Sequence, residues 1–339
     1  MARQLTIAEI ASEAGVSMPT VSRVLNKRPD VAPETRQRVL DVLAARGYHK
    51  KPQESISQTP ALKMVDLVIS GWLDSEFYLE IVRGIEEILL AEGTRLILCA
   101  MHGNKQFMQA WLEQLTQRTP QGVIFLNVDH RPVFDKLRKL RIPFMVIDDN
   151  VQSEVNIPSV GANNWTSGLI ATEHLLSLGH CRIAMITGPR AHLVTKGRTA
   201  GYRTALETAG LPMDSVYLLE SDFSMESGYH QAHAFLDLPN PPTAIIAACD
   251  AQAIGVYRAV YEHRLRIPDD ISVIGFDDIP TAQWMAPPLT TIRQPLRDIG
   301  HVATERLFQL VAGKPLETLR VELASPLLVR SSCTRIFPH

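Results

Sequence analysis

Two aspartates close apolar runs at distant points of the 339-residue chain, Asp148 in "VIDD" and Asp277 in "GFDD". A carboxylate only accepts, and each of these can take two hydroxyl hydrogen bonds from a polyol. Arg198, just ahead of "TAGY" at an expected helix start, adds a planar fork of donors for neighbouring hydroxyls. A second polar group lies near the beginning, in "VSMPTVSRVLN" at 16–26. There Val21, Val24 and Leu25 recur at helical spacing, while Ser17, Thr20, Ser22, Arg23 and Asn26 take the other face. Short hydroxyls reach phosphates, and Arg23 can fork onto guanine O6 and N7. Met18 and Pro19 beside them offer only apolar contact, for instance to a thymine methyl. Trp72, Trp165 and Trp284 stand near expected strand ends or helix starts. An aromatic face there stacks on sugar C–H surfaces or fills a core or an interface. Trp165 is the favoured ligand-side residue, because it opens a helix in "GANNWTSG" next to a polar loop.

Ordered elements must hold these groups. Residues 6–13 read as a short helix capped by Thr6, with Ile7, Ile10 and Ala11 inward. Gly15 supplies a turn, Ser17 caps a second helix over 18–25, and Pro19 is tolerated in its first turn. A third helix, 33–47, starts on Pro33, turns Val39, Leu40 and Leu43 inward and stops at Gly47. "HKKPQESISQTPALK" (49–63), with two prolines and few apolar residues, reads as a linker. Beyond it apolar β-runs alternate with amphipathic helices. The runs are 64–70, 95–100, 122–128, 143–149, 182–188, 244–250 and 271–278, and helices such as 76–93 and 166–180 lie between them. That alternation implies parallel sheets covered on both faces, with ligands outside the carboxyl ends of the strands. About 270 residues suit two such lobes better than one.

Composition narrows the classes. Hydrophobic residues make up 45% and charged residues 21%, the balance of a soluble chain with two or three domains. No apolar run reaches the roughly 18 residues of a membrane span, and the first residues lack the apolar stretch of a secretory signal. Cys99, Cys181, Cys249 and Cys333 lie far apart, without a Cys-x-x-Cys pair or a histidine cluster. This argues against a disulfide framework or a structural metal, and for reduced thiols in the cytoplasm. Residues 1–60 carry nine Lys/Arg and six Asp/Glu, a net +3 that leaves −5 for the rest of a chain at −2. A basic head on an acidic body suits contact of the head alone with a polyanion. There is no G-x-S-x-G elbow, P-loop, G-x-G-x-x-G or zinc-protease helix, so no enzyme activity, cofactor or metal is expected.

The stretch "TIAEIASEAGVSMPTVSRVLNKRPDVAPETRQRVLDVLAARGY" resembles the helix-turn-helix head of the LacI/GalR family of bacterial transcription regulators. The segments "GLIATEHLLSLGHCRIAMITGP", "GRTAGYRTALETAG", "PDDISVIGFDDIP" and "PPLTTIRQP" resemble its body. The resemblance implies an α/β protein: a three-helix head (1–48), a linker or hinge (49–63) and a periplasmic-binding-protein-like body (64–339) of two Rossmann-like subdomains. One subdomain would take about 64–162 and 293–322, the other about 163–292 and 323–334. It further implies a homodimer that represses carbohydrate-utilisation genes, binding palindromic operator DNA under control of a small effector. Its base-reading positions fall on Met18, Pro19 and Arg23, flanked by Thr6, Ser17, Thr20, Ser22 and Asn26. Its effector positions fall on Asp277 and Arg198, with Asp148, Phe77, His192 and Phe223 around them. "DSEFYLEIVRGIEE" and "PSVGANNWTSG" resemble members linked to plant-cell-wall sugars, which implies xylose or a xylo- or cello-oligosaccharide.

Two departures stand out. Cys249 replaces a polar side chain, often asparagine, among the effector positions, and a thiol is a weak partner. In the linker Ser57 stands where many members carry a leucine wedge, Pro52 lies near the start, and Ile56 is out of register. Binding without the usual DNA kink is therefore expected. A regulator answering to a purine or gated by a partner protein is an alternative within the family. A sugar-binding protein without regulatory role is the alternative outside it, but it would need an export signal and no head.

Overall fold

The computed structural model describes residues 6–25, 28, 30–46, 63–70, 75–101, 105–128, 130–148 and 156–336. The linker residues Pro52, Ile56 and Ser57, the stop Gly47, and the site candidates Asn26 and Trp72 lie outside the described residues. Two compact units divide the chain, residues 1–62 and 63–339.

The first unit holds α1 (Ile7–Glu13), α2 (Met18–Leu25) and α3 (Pro33–Ala45). Thr6 caps α1 reciprocally: its hydroxyl accepts from the Glu9 N–H, and the Glu9 carboxylate accepts from the Thr6 N–H at 2.8 Å. Ile10, Ala11, Ala14, Val21, Val24, Val39 and Leu43 make the core. Ile7 and Leu40, expected inward, are 39% and 43% exposed, because three short helices enclose only one narrow seam. Ser17 does not cap α2 with its hydroxyl, which pairs instead with the Thr20 hydroxyl at 2.9 Å. Its carbonyl takes the Thr20 and Val21 N–H groups.

The second unit contains two six-stranded sheets. The first comprises β1 (Met64–Ile69), β2 (Arg95–Ala100), β3 (Gly122–Leu126), β4 (Phe144–Ile147), β5 (Ser159–Ala162) and β11 (Arg320–Leu323), in the order β11-β5-β4-β3-β1-β2 and all parallel. Helices α4 (Glu76–Ala91) and α11 (Leu296–Val311) cover one face. Helices α5 (Lys105–Arg118) and α6 (Arg131–Leu140) cover the other. The second sheet comprises β6 (Ile183–Ile186), β7 (Leu218–Leu219), β8 (Ala244–Ala247), β9 (Ser272–Asp277), β10 (Thr290–Arg293) and β12 (Leu327–Leu328), in the order β12-β10-β9-β8-β6-β7. Only β12 runs antiparallel among these pairs. Its faces are covered by α7 (Asn164–Ser177) with α8 (Leu193–Thr208), and by α9 (Met225–Leu236) with α10 (Asp250–Glu262).

The chain passes between the lobes three times: after β5, between β10 and α11, and between β11 and β12. Arg293 pairs within the second sheet and Leu323 within the first, so two crossings come one residue later than the sequence reading places them. Glycines set the crossing of α7 and α8. A Cβ on Gly168 would lie 2.1 Å from the Arg198 carbonyl oxygen, so the two backbones touch where Arg198 leaves α8.

Candidate functional sites

On the head, α2 presents Met18, Pro19 and Arg23 to solvent, with Thr20 and Ser22 half-buried beside them. Arg23 sits 3.9 Å from Asp30, an exposed and weak pairing that leaves the guanidinium available. The Thr6 hydroxyl serves the cap of α1 while remaining at the surface.

In the body, the carboxyl ends of both sheets converge on a cavity of about 310 Å³. Phe77, Asp148, His192, Arg198, Phe223, Cys249 and Asp277, singled out from the sequence, all line it. Strand ends and turns aim these side chains. Asp148, Phe223 and Asp277 have φ of +51°, +68° and +111°, as does Asn127 at +54°. Non-glycine residues rarely occupy this region, and each costs about 1–3 kcal/mol that the surroundings must offset. Arg198 lies in the second turn of α8, not at its start as the sequence suggested. Its Nε donates to Asn164 Oδ1 at 2.9 Å, another nitrogen donates to the Ala248 carbonyl, and its plane lies 4.5 Å from the Phe276 ring centre. Held this way, the guanidinium faces Asp277 at 4.0 Å.

Asp277 is 6% exposed and accepts from Gln294 Nε2 at 2.5 Å. Burial pushes its carboxyl up to about 7, against the pull of Arg198 and Gln294. Burial likewise raises Asp148 to about 6, with Arg198 and Arg320 pulling it back. Near neutral pH Asp277 can therefore donate as well as accept, while Asp148 is mainly an accepting carboxylate, and both suit hydroxyl groups. Burial pushes the Cys249 thiol up, so it stays a thiol. Its Sγ donates to the Phe223 carbonyl at 3.3 Å and so braces the strained loop. The Phe223 ring lies over Gly188, where any Cβ would collide with it, and faces His192 at 6.0 Å. Phe77 packs against the cores of both lobes.

Two tryptophans stand apart from this cavity. Trp284 is 81% exposed in a short 3-10 turn and is not among the lining residues. Trp165, near the start of α7, lines a neighbouring cavity of about 510 Å³ instead. Sequence reasoning missed Gln294, Asn127, Tyr78 and Asp222, which also line the first cavity. The signal for Gln294 was its place in "TTIRQP", at a crossing between lobes.

Residues 6–51 match the model of the bacterial regulatory proteins of the lacI family, and residues 172–333 match the periplasmic binding protein-like domain. The ribose operon repressor of Escherichia coli (strain K12) is 33% identical over 328 residues, spanning 96% of this chain and 99% of its own. The chain belongs to the lacI family of bacterial regulators. It is a DNA-binding transcriptional regulator and not an enzyme. Among solved structures, the regulator CelR in complex with cellobiose superposes with a TM-score of 0.75 at 29% identity, covering 97% of this chain and 100% of the other. A lac repressor dimer bound to operator and the anti-inducer ONPF gives 0.72 at 26% identity, covering 98% and 100%.

As a lacI-family regulator, the chain carries a clasp between the lobes. Glu76, at the first turn of α4, accepts from the Thr281 N–H at 2.9 Å and the Thr281 hydroxyl at 2.7 Å. Glu76 belongs to the first lobe and Thr281 to the second, so opening the cleft breaks both bonds. Among the described residues no helix is long and apolar enough to cross a membrane.

Proposed function

We propose that this regulator is a dimeric repressor of sugar-utilisation genes that reads a palindromic operator and changes its grip when a small neutral sugar occupies the interlobe cavity. One observation carries the effector reading: Asp277 and Arg198 from the second lobe face Asp148 and Phe77 from the first across a single cavity. Such a ligand binds both lobes at once, and it shifts the body only through its different affinity for the open and closed states. The CelR complex with cellobiose and the ribose operon repressor support a carbohydrate. The lac repressor dimer on its operator supports the paired arrangement. Exposed Leu79, Leu90 and Leu98 in the first lobe, with Met225, Tyr261 and Trp284 in the second, supply apolar surface for a partner copy. On DNA, Arg23 takes a guanine and Met18 and Pro19 take apolar edges.

Thermal-shift titration with ribose, xylose, glucose and cellobiose tests the effector reading, followed by operator titration with and without the sugar that stabilises. Stabilisation without any change in DNA affinity would refute the regulatory half of the proposal. Arg23→Ala should cost about 1–3 kcal/mol on the specific site and relax preference at one position per half-site. Equal loss on random duplex would place Arg23 on phosphate alone.

A further inference from the structure

We infer that the cleft has two compartments and takes a glycoside of at least two sugar units, the second unit stacked on Trp165. The inference rests on the sugar reading given above and narrows it to a chain of linked rings. The second cavity, about 510 Å³, lies against β5, β11 and the first turns of α7 and α8. It shares Asp148 and Val194 with the first, so the two compartments adjoin across one carboxylate and one valine.

Asp148 is the decisive group. It is only 7% exposed, and burial is the main cause that lifts its carboxyl above the usual carboxylate range. Arg198 acts on it from the first compartment and Arg320 from the second. Because it lines both compartments, its carboxylate can accept hydroxyl donors from a ligand on either side. Two glycines, Gly161 and Gly197, let the walls of the second compartment approach closely. A Cβ on Gly161 would lie 3.1 Å from Asp148 Oδ1, and one on Gly197 would lie 2.9 Å from the Asn164 Cβ.

In the same compartment Trp165 keeps 45% of its surface exposed, while its backbone is fixed where α7 crosses Gly201. An exposed aromatic face on a fixed backbone is a platform for a flat, apolar-faced ring. The charges of the compartment cancel: Lys196 and Arg320 against Glu322 and Asp148, with Arg320 paired to Glu322 at 3.0 Å. That balance fits a neutral, hydroxyl-rich unit better than a phosphate. The first compartment alone stands at the lower limit of ordinary ligand pockets, roughly 300–1,000 Å³, and suits a single ring. A second unit would also touch β11, which leads directly into one of the three crossings.

Calorimetric titration of the full chain with xylose, xylobiose, glucose and cellobiose tests this. One disaccharide should bind per chain, at least tenfold tighter than its own monosaccharide. Trp165→Ala should remove most of that preference while changing monosaccharide affinity by less than twofold, and Trp165→Phe should restore it. The proposal is overturned if Trp165→Ala weakens both sugars equally or neither. It is overturned as well if two monosaccharides bind per chain, or if the disaccharide binds no tighter. A folded protein that binds none of the four sugars would refute the sugar reading itself, which is a different result from monosaccharide binding alone.

Discussion

Asp148 and Asp277 end equivalent strands of the two sheets in nearly the same sequence setting, yet the fold treats them differently. Asp277 is fully furnished: Gln294 donates to its carboxyl, the Gln294 N–H reaches its carbonyl at 3.3 Å, and Arg198 stands opposite. Asp148 has similar burial, its N–H donates to the Val160 carbonyl at 3.0 Å, and its carboxyl feels the pull of two arginines. In the proposed effector site, one lobe would offer a preassembled receptor half and the other a half that gains bonds with the ligand. Preorganisation on one side lowers the cost of capture, and the unfinished side makes closure depend on occupancy.

Removing Arg198 tests the comparison most severely. Arg198→Ala strips the cation shared by both aspartates along with its bonds to Asn164 and Ala248, and should cost about 3 kcal/mol in urea unfolding. A loss below about 1 kcal/mol would show that the furnished half does not depend on it. Asp277→Asn keeps the shape and removes the charge, and should weaken effector binding more than tenfold, about 1.4 kcal/mol, with operator affinity near native. Unchanged effector response from that folded variant would remove Asp277 from the site.

The pH dependence separates the two groups. Both native carboxyls are raised, so their contribution to stability is complete below about pH 4 and is lost as pH rises through the native values. For Asp148 the window runs from about 4 to about 6, and for Asp277 from about 4 to about 7. The slope is at most about 1.4 kcal/mol per pH unit for each group. Melting profiles of Asp148→Asn and Asp277→Asn, subtracted from the unaltered protein, should each show their own window; coincident windows would erase the distinction. The smallest effect belongs to Arg320→Ala. It acts on Asp148 from an exposed position and should change stability by less than about 0.5 kcal/mol, as read by urea melt.

Strand-end aspartates are legible in a sequence because an apolar run that stops in a carboxylate marks both a parallel strand and its ligand side. Three of the seven long runs, 143–149, 244–250 and 271–278, stop this way, and the other four were legible from their apolar length alone. β5, β7, β10, β11 and β12 went unread, since strands of two to four residues such as "SVGA" or "RVEL" show no apolar run, and β11 lies half-exposed at a sheet edge. Gln294 was hidden for a related reason: the motif "TTIRQP" is visible in the sequence, but that the chain changes lobes there is not. Trp165 was read as a ligand-side residue, but only the arrangement of β5, α7 and α8 reveals that it faces a different compartment from Asp277. Cys249 read as a weakened ligand contact; it lines the cavity, and nothing in the sequence signals that its thiol also holds the Phe223 loop.

The triple crossing also governs the order in which the molecule can be made. The head's core draws on residues 10–43 alone, so its partners emerge together during synthesis. The first lobe has to wait. Its strands β1 to β5 come early, but Leu296, Ile299, Ala303 and Leu307 of α11 and the edge strand β11 arrive only after β6 to β10. At about 5–20 residues per second that delay is on the order of 10 s. Throughout it the faces of Ile124, Met145 and Val160 that α11 will cover are bare, while the segments of the other lobe are already being added. A nascent chain of this repressor is therefore most exposed to aggregation in its first lobe, just before residues 296–323 emerge.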